Sequence, residues 1–248
     1  MKAEINSLIM KDDTLEKHYI FQNSELLVLL SLMNITQFYG VPLPSEKDID
    51  RAAAIRILQR LMENGYVDAG ENPGDGYIVR EPLRSMLSHL YDCEKIITAY
   101  PEQGEREALF YCKGDSITAL ETEDGRTFRL YPLNRRMLLQ WLRDQKSFCP
   151  PVLYSAAEVE RMCRADPEVK EASEMIKSHA LPEDVSITRY LKDTGIKGLI
   201  SVREGNVNTN YIFYEIGFMQ YLLKVRDEPT CVPYTKEIRE ETIASLSG

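Results

Sequence analysis

Little in this sequence is concentrated enough to carry chemistry by itself. Only three of its 248 residues are histidine and one is tryptophan. The five cysteines, Cys93, Cys112, Cys149, Cys163 and Cys231, are odd in number, widely spaced and without a C-x-x-C pair. That pattern argues against a disulfide framework and for reduced, buried thiols. Basic charge is scarce: the net charge is −9 and the isoelectric point about 5.0. Divided into successive fifths, no part of the chain is net basic. Nucleic-acid binding needs clustered Lys and Arg to neutralise phosphates, so this balance disfavours it. The longest apolar run, Leu26 to Leu30, falls far short of the ~20 residues that cross a bilayer. Met1-Lys2-Ala3-Glu4-Ile5-Asn6 opens no apolar signal segment, which makes the cytoplasm the expected location. Without a secretion signal, the glycosylation pattern Asn34-Ile35-Thr36 has no consequence.

What is present fits an ordinary folded protein: 44% hydrophobic and 28% charged residues, enough to build a sizeable core. Asn23 or Ser24 is placed to cap a helix running through Glu25 to Met33, apolar nearly all round. Gly40-Val41-Pro42-Leu43-Pro44 interrupts, and Ser45-Glu46-Lys47-Asp48 begins another helical stretch. Its apolar face is expected on Ala54, Leu58, Leu61 and Met62, and Asn64-Gly65 is its stop. Two short strands, Tyr66–Asp68 and Gly76–Val79, flank a polar loop, giving a winged-helix outline, and Arg84 to Tyr91 is a further helix. The period then changes to two, over Lys95–Tyr100, Glu107–Cys112, Ser116–Thr122 and Arg126–Tyr131. Lys113-Gly114-Asp115 and Asp124-Gly125 are the turns between the last three, so 95–131 reads as an antiparallel meander. Pro132 is expected to start a helix carrying Leu133, Met137, Leu138, Trp141 and Leu142. Past the joint at Cys149-Pro150-Pro151, helical patterns cover Ala156 to Arg164, Pro167 to His179 and Ile187 to Leu191. A second β section follows at Gly198–Arg203, Tyr211–Ile216 and Phe218–Val225, with a turn at Glu204-Gly205-Asn206 and a last helix from Tyr234 to Leu246.

None of the candidate clusters meets the demands of a known chemistry. His89 and Cys93 fall four apart on a helix, but zinc needs two more ligands and none stands at the usual spacing. A thiol nucleophile needs a lowered pKa and a positioned base, and no cysteine is singled out for that. Gly70 to Gly76 is glycine-rich but lacks the Gly-Lys-Ser/Thr ending, and its Glu71 and Asp75 would repel phosphate. Glu102, Glu105 and Glu107, and Glu121, Glu123 and Asp124, sit at hairpin ends without calcium-loop spacing. Tyr211, Phe213, Tyr214, Phe218 and Tyr221 form an aromatic-rich stretch. Alternation assigns about half of it to the core and the rest to an exposed apolar surface suited to a partner. On the presumed recognition helix, Arg51, Arg56 and Arg60 are offset by Asp48, Asp50 and Glu63, leaving few phosphate contacts. No residue is expected to be catalytic or to bind a metal or cofactor, and the partner-binding residues are not fixed by the sequence.

The order of segments resembles the EspG family of type VII (ESX) secretion chaperones over most of the chain. Glu25-Leu26-Leu27-Val28-Leu29-Leu30 resembles that family's early buried helix. Leu58 to Val67 resembles its helix with a leucine, two-residue, glycine stop. Gly114 to Leu120 and Asp124 to Leu130 resemble its central meander. Val152 to Val159 resembles the entry to its second helical part, and Val232-Pro233-Tyr234 its C-terminal region. Ile216 to Tyr221 departs from the basic, glycine-containing strand found there in the family, so no partner-recognition residue carries over. The resemblance implies an α+β fold, a central antiparallel sheet flanked by helical bundles. It implies a non-enzymatic, cofactor-free cytosolic protein that keeps secreted substrates soluble. The chain is thus expected to form one α+β unit over 1–248. Its parts are a winged-helix-like 1–93, a meander plus helix at 94–148, and helices then strands and a helix at 149–248. The expected partner is a protein, not nucleic acid or membrane. The alternative is a winged-helix transcriptional regulator with an α+β sensor region.

Overall fold

The computed structural model describes residues 18–41, 43–44, 49–70, 76–102, 105–122, 124–165, 195–216 and 219–246. The first strand, β1 (Tyr19–Gln22), runs straight into helix α1 (Asn23–Leu32). The helix therefore begins one residue earlier than an Asn23 cap, and two earlier than a Ser24 cap, would allow. Gln22 occupies the cap, and the Glu25 carboxylate reaches back to its N–H at 2.7 Å. Helix α2 (Arg51–Glu63) is capped by Asp50, whose side chain accepts the Ala53 N–H at 2.6 Å. The expected start at Ser45-Glu46-Lys47-Asp48 lies outside the described residues. The buried face of α2 is centred on Ile57 and Leu61, while Met62 is exposed. The expected face was rotated because it omitted Ile57, which stands one turn before Leu61. At the stop, Gly65 takes φ +71°, its N–H bonds the Met62 carbonyl and the Tyr66 N–H bonds that of Leu61. This is the six-to-one and five-to-two closure that glycine permits. Strands β2 (Val67–Ala69) and β3 (Tyr77–Val79) pair as a small separate sheet. Helix α3 (Leu83–Asp92) buries Leu83, Met86, Leu87 and Leu90, a stripe at helical spacing. At roughly 2 kcal/mol per buried side chain, that stripe outweighs helix propensity in fixing α3.

Strands β4 (Lys95–Pro101), β5 (Glu107–Lys113), β6 (Ser116–Thr122) and β7 (Thr127–Leu133) form the expected meander. The β5–β6 turn is a two-residue turn, since Lys113 pairs with Ser116. The β6–β7 connection is longer than a two-residue Asp-Gly turn, because the last pair is Thr122 with Phe128. Gly125 takes φ +67°, but Asp124 stays out of the left-handed region. Its carboxylate instead accepts the N–H groups of Arg126 and Thr127, at 2.8 and 2.7 Å. Pro132 and Leu133 end β7 and do not open a helix. Helix α4 (Arg135–Asp144) starts after Asn134, whose side chain accepts the Met137 N–H at 3.0 Å. Proline at the end of a strand whose partner no longer needs its N–H satisfies the same backbone logic as proline at a helix start.

Helix α5 (Ala156–Ala165) is as expected; the helical patterns at Pro167 to His179 and Ile187 to Leu191 lie outside the described residues. Strands β8 (Ile196–Glu204), β9 (Val207–Ile216), β10 (Met219–Val225) and β11 (Thr230–Pro233) make a second meander. Helix α6 (Lys236–Leu246) begins two residues after the expected Tyr234, which instead anchors the joint by donating its hydroxyl to the Phe148 carbonyl at 2.8 Å. All nine long-sheet strands are antiparallel in the order β1-β7-β6-β5-β4-β8-β9-β10-β11. The two meanders meet along β4 and β8, where Ile97 faces Val202 and Tyr100 faces Leu199. Six helices are described, on both faces of this sheet. On one face α1, α2 and α3 pack over β4 to β7, and α5 packs over β8 to β10. On the other, α4 and α6 cover Ile97, Phe110, Ala119, Ile200 and Phe213. With both faces covered, strands read as runs of buried residues, not as alternation. That corrects the aromatic stretch: Tyr211, Phe213, Tyr214 and Tyr221 are all buried, and Phe218 lies outside the described residues.

Among the described residues β1 and β11 are the outer strands, and each has one outward backbone donor removed. The Asn23 N–H bonds the Arg126 carbonyl, which by alternation turns Ile20 and Gln22 outward on β1. Glu25 already holds the Gln22 N–H. On β11 the Tyr234 N–H bonds the Gln220 carbonyl, which turns Cys231 and Pro233 outward, and proline carries no N–H.

Candidate functional site

The acidic clusters dissolve into separate structural contacts. Glu121 is only 4% exposed. Its Oε1 accepts the Tyr131 hydroxyl and the Trp141 Nε1–H, each at 2.6 Å, and its Oε2 lies 3.6 Å from Arg106. It thereby ties α4 to the sheet. Asp124 is spent on its turn, and Glu123 lies outside the described residues. Glu105 accepts the Ser147 hydroxyl at 2.6 Å and the Lys146 N–H at 2.9 Å. Glu102 and Glu215 share Lys197, at 3.2 and 3.0 Å, and both hold its ammonium pKa up. Glu107 stands apart, half-buried, and burial pushes its carboxyl above the ordinary value.

His89 and Cys93 do not share a helix face, because Cys93 follows α3 in extended conformation. The His89 Nδ1 meets the Thr118 hydroxyl at 2.9 Å. An imidazole beside a hydroxyl is half of a nucleophile arrangement. Thr118 is buried, however, so no substrate reaches it. Burial also lowers the His89 pKa and raises that of Cys93. The Cys112 and Cys149 thiols are pushed up to about 11 by burial, the opposite of an activated nucleophile. Among the described residues no three His, Cys, Asp or Glu side chains converge in a way that could hold a metal ion. Of the glycine-rich Gly70 to Gly76, residues 71–75 lie outside the described residues, and the Gly70 N–H bonds the Gly76 carbonyl at 2.8 Å. No described helix is long and apolar enough to cross a membrane.

One of the grooves among the described residues has a composition that suits a partner. It lies on the face of the sheet that carries α1 to α3 and has a volume of about 240 Å³. Phe38 and Tyr39, from the α1–α2 connection, form one wall. Leu90, Tyr91 and Cys93, at the end of α3, form another, with Ile96 of β4 below. Arg203 and Gly205, at the β8–β9 turn, close the end. The Arg203 guanidinium stacks 4.7 Å above the Tyr39 ring centre, and its Nε–H reaches the Gly205 carbonyl at 3.3 Å. The Tyr39 segment is itself pinned, since the Tyr111 hydroxyl donates to the Tyr39 carbonyl at 2.7 Å. Next to it Gly40 takes φ +151°, and a Cβ there would collide with the Tyr111 hydroxyl and stand 2.9 Å from Leu109 Cδ2. Tyr91 is 66% and Tyr39 46% exposed. Tyrosine and arginine at a rim of apolar residues are the side chains enriched where proteins bind one another.

Of these groove residues only Cys93 was weighed from sequence, and as a metal or thiol candidate beside His89, not as part of a partner surface. Tyr91 had a signal: it directly follows Leu90, the last buried position of the α3 stripe, so it points off the apolar face. Tyr39 and Arg203 had none, because the groove joins segments far apart in the chain.

No family model matches this sequence, and no curated protein is similar to it in sequence. Among solved structures the fold is similar to the Mycobacterium tuberculosis type VII secretion system chaperone EspG5, solved in complex with the PE25-PPE41 dimer. The TM-score is 0.53 at 9% identity, over 93% of this chain and 95% of that one. A likeness at this identity establishes a shared fold.

Proposed function

We propose that the chain is a non-catalytic, cofactor-free, cytosolic protein-binding protein, a chaperone or adaptor that holds a secreted substrate in soluble form. The fold likeness to EspG5 along nearly the whole of both chains carries this reading. The rim of tyrosine and arginine around a preformed groove supports it, since such a surface favours protein contact over small-molecule chemistry. A winged-helix regulator is the weaker reading. Helix, helix and hairpin do follow in that order, but Arg60 is tied to Glu25 and Arg80 to Asp68, leaving fewer cations for phosphates.

The test is capture from the native host with the full chain as bait, identification by mass spectrometry, then co-expression. One protein that co-purifies at fixed stoichiometry, and is less soluble without this chain, is the expected result. Enrichment of promoter DNA, or of no protein above a bead control, would overturn the proposal.

A further inference from the structure

Resting on the protein-binding reading, we propose that the groove between Tyr39, Tyr91 and Arg203 takes an apolar peptide segment carrying a carboxylate, with Arg203 as its charge partner. Arg203 is the one cation of the lining, and among the described residues it makes no ion pair. The cations nearby are neutralised: Lys95 lies 3.3 Å from Glu204, and Lys113 is paired with Asp92. The one carboxylate of the lining, Glu94, accepts the Gly114 N–H at 3.2 Å. With one arginine and one glutamate in its lining the groove is net neutral, in a chain with 39 acidic and 30 basic residues, and Glu94 is turned to the Gly114 N–H while the Arg203 guanidinium has no carboxylate partner among the described residues.

The guanidinium is also aimed. Stacking on Tyr39 and the bond to Gly205 hold its plane, so its terminal N–H groups face a partner with part of the ordering cost already met. A planar carboxylate matches that fork. A basic segment would meet like charge, and a wholly apolar one would leave the guanidinium desolvated without a partner. The overall negative charge of the chain opposes an acidic partner at long range. At physiological salt, though, exposed charges beyond the ~8 Å Debye length are largely screened, so the contact at Arg203 decides. The flanking apolar side chains of the segment would pack on Tyr91 and Ile96.

The probe is a library of short peptides displayed on phage, panned against the full chain, with winning peptides measured by fluorescence anisotropy. The expected consensus is Asp or Glu beside leucine or an aromatic residue. The lead peptide should lose about tenfold in affinity, or ~1.4 kcal/mol, on Arg203→Glu and separately on Tyr91→Ala. Replacing its acid by lysine should restore binding to the Arg203→Glu protein. Basic or uncharged winners, winners indifferent to both substitutions, or no winner at all would overturn the assignment. A host partner that binds wild type and Arg203→Glu equally well would sink it while leaving the protein-binding function standing.

Discussion

Glu121 and Glu107 stand one strand apart, yet burial has opposite meanings for them. Glu121 is embedded among donors from β7, α4 and Arg106, and removing it would leave the Tyr131 hydroxyl and the Trp141 N–H without their acceptor. Glu121→Leu should cost about 3 kcal/mol in urea unfolding, the scale for breaking a buried pair. Arg106→Ala should cost under ~1 kcal/mol, because that side chain is half exposed. Equal losses for the two would show that the carboxylate is not the hub. Among the described residues Glu107 has no such company, and burial raises its pKa above the ordinary 4.5. The folded state therefore binds a proton more readily than the unfolded chain, so this group costs stability as pH rises from 4.5 through its folded value. Glu107→Gln should stabilise the protein at pH 7 and lose that advantage in acid. His89, whose pKa is lowered by burial from 6.5, contributes the opposite acid sensitivity. Its neutral form is favoured when folded, so stability falls as pH drops below 6.5 towards the folded value. Chemical unfolding of His89→Gln across that window should give a flatter profile than wild type.

Among the elements, the connection from α1 to α2 is the most exacting. Gly40→Ala adds a Cβ that collides with the Tyr111 hydroxyl and also strains a φ of +151°, so about 2 kcal/mol should be lost and the Tyr39 wall should shift. A thermal melt gives the first, and quenching of Tyr39 contacts in peptide binding the second; an unchanged melt would contradict the packing described. Elements were legible where local chemistry is complete. Asn64-Gly65 ended α2, Gly114-Asp115 turned β5 into β6, and the four meander strands fall within a residue or two of their expected limits. Two strands went unread, β1 and β11, because four residues carry too little pattern and only a neighbouring strand makes them extended. The aromatic stretch misled for a different reason. Whether a strand is covered on one face or two depends on helices elsewhere in the chain, here α5 and α6, which alternation does not register.

For the whole molecule, charge and topology set the behaviour. With a net charge of −9 and Arg60 and Arg80 already engaged, the full chain should bind labelled duplex DNA more weakly than the ~10⁻⁴–10⁻⁶ M usual for non-specific binders. Micromolar anisotropy that collapses with added salt would mean a basic face assembled from scattered arginines. Among the described residues no further strand pairs with β1 or β11, and a sheet edge left unpaired is a template on which copies of a chain could stack into fibres. Growth of that kind needs successive backbone donors along an edge. Here the Glu25 carboxylate intercepts one on β1, and Pro233 deletes one on β11. The protein should therefore stay clear and free of cross-β dye signal at high concentration. Pro233→Thr restores the missing donor, and with it concentration-dependent scattering should appear, the solution trading dispersed protein for ladders of paired edges.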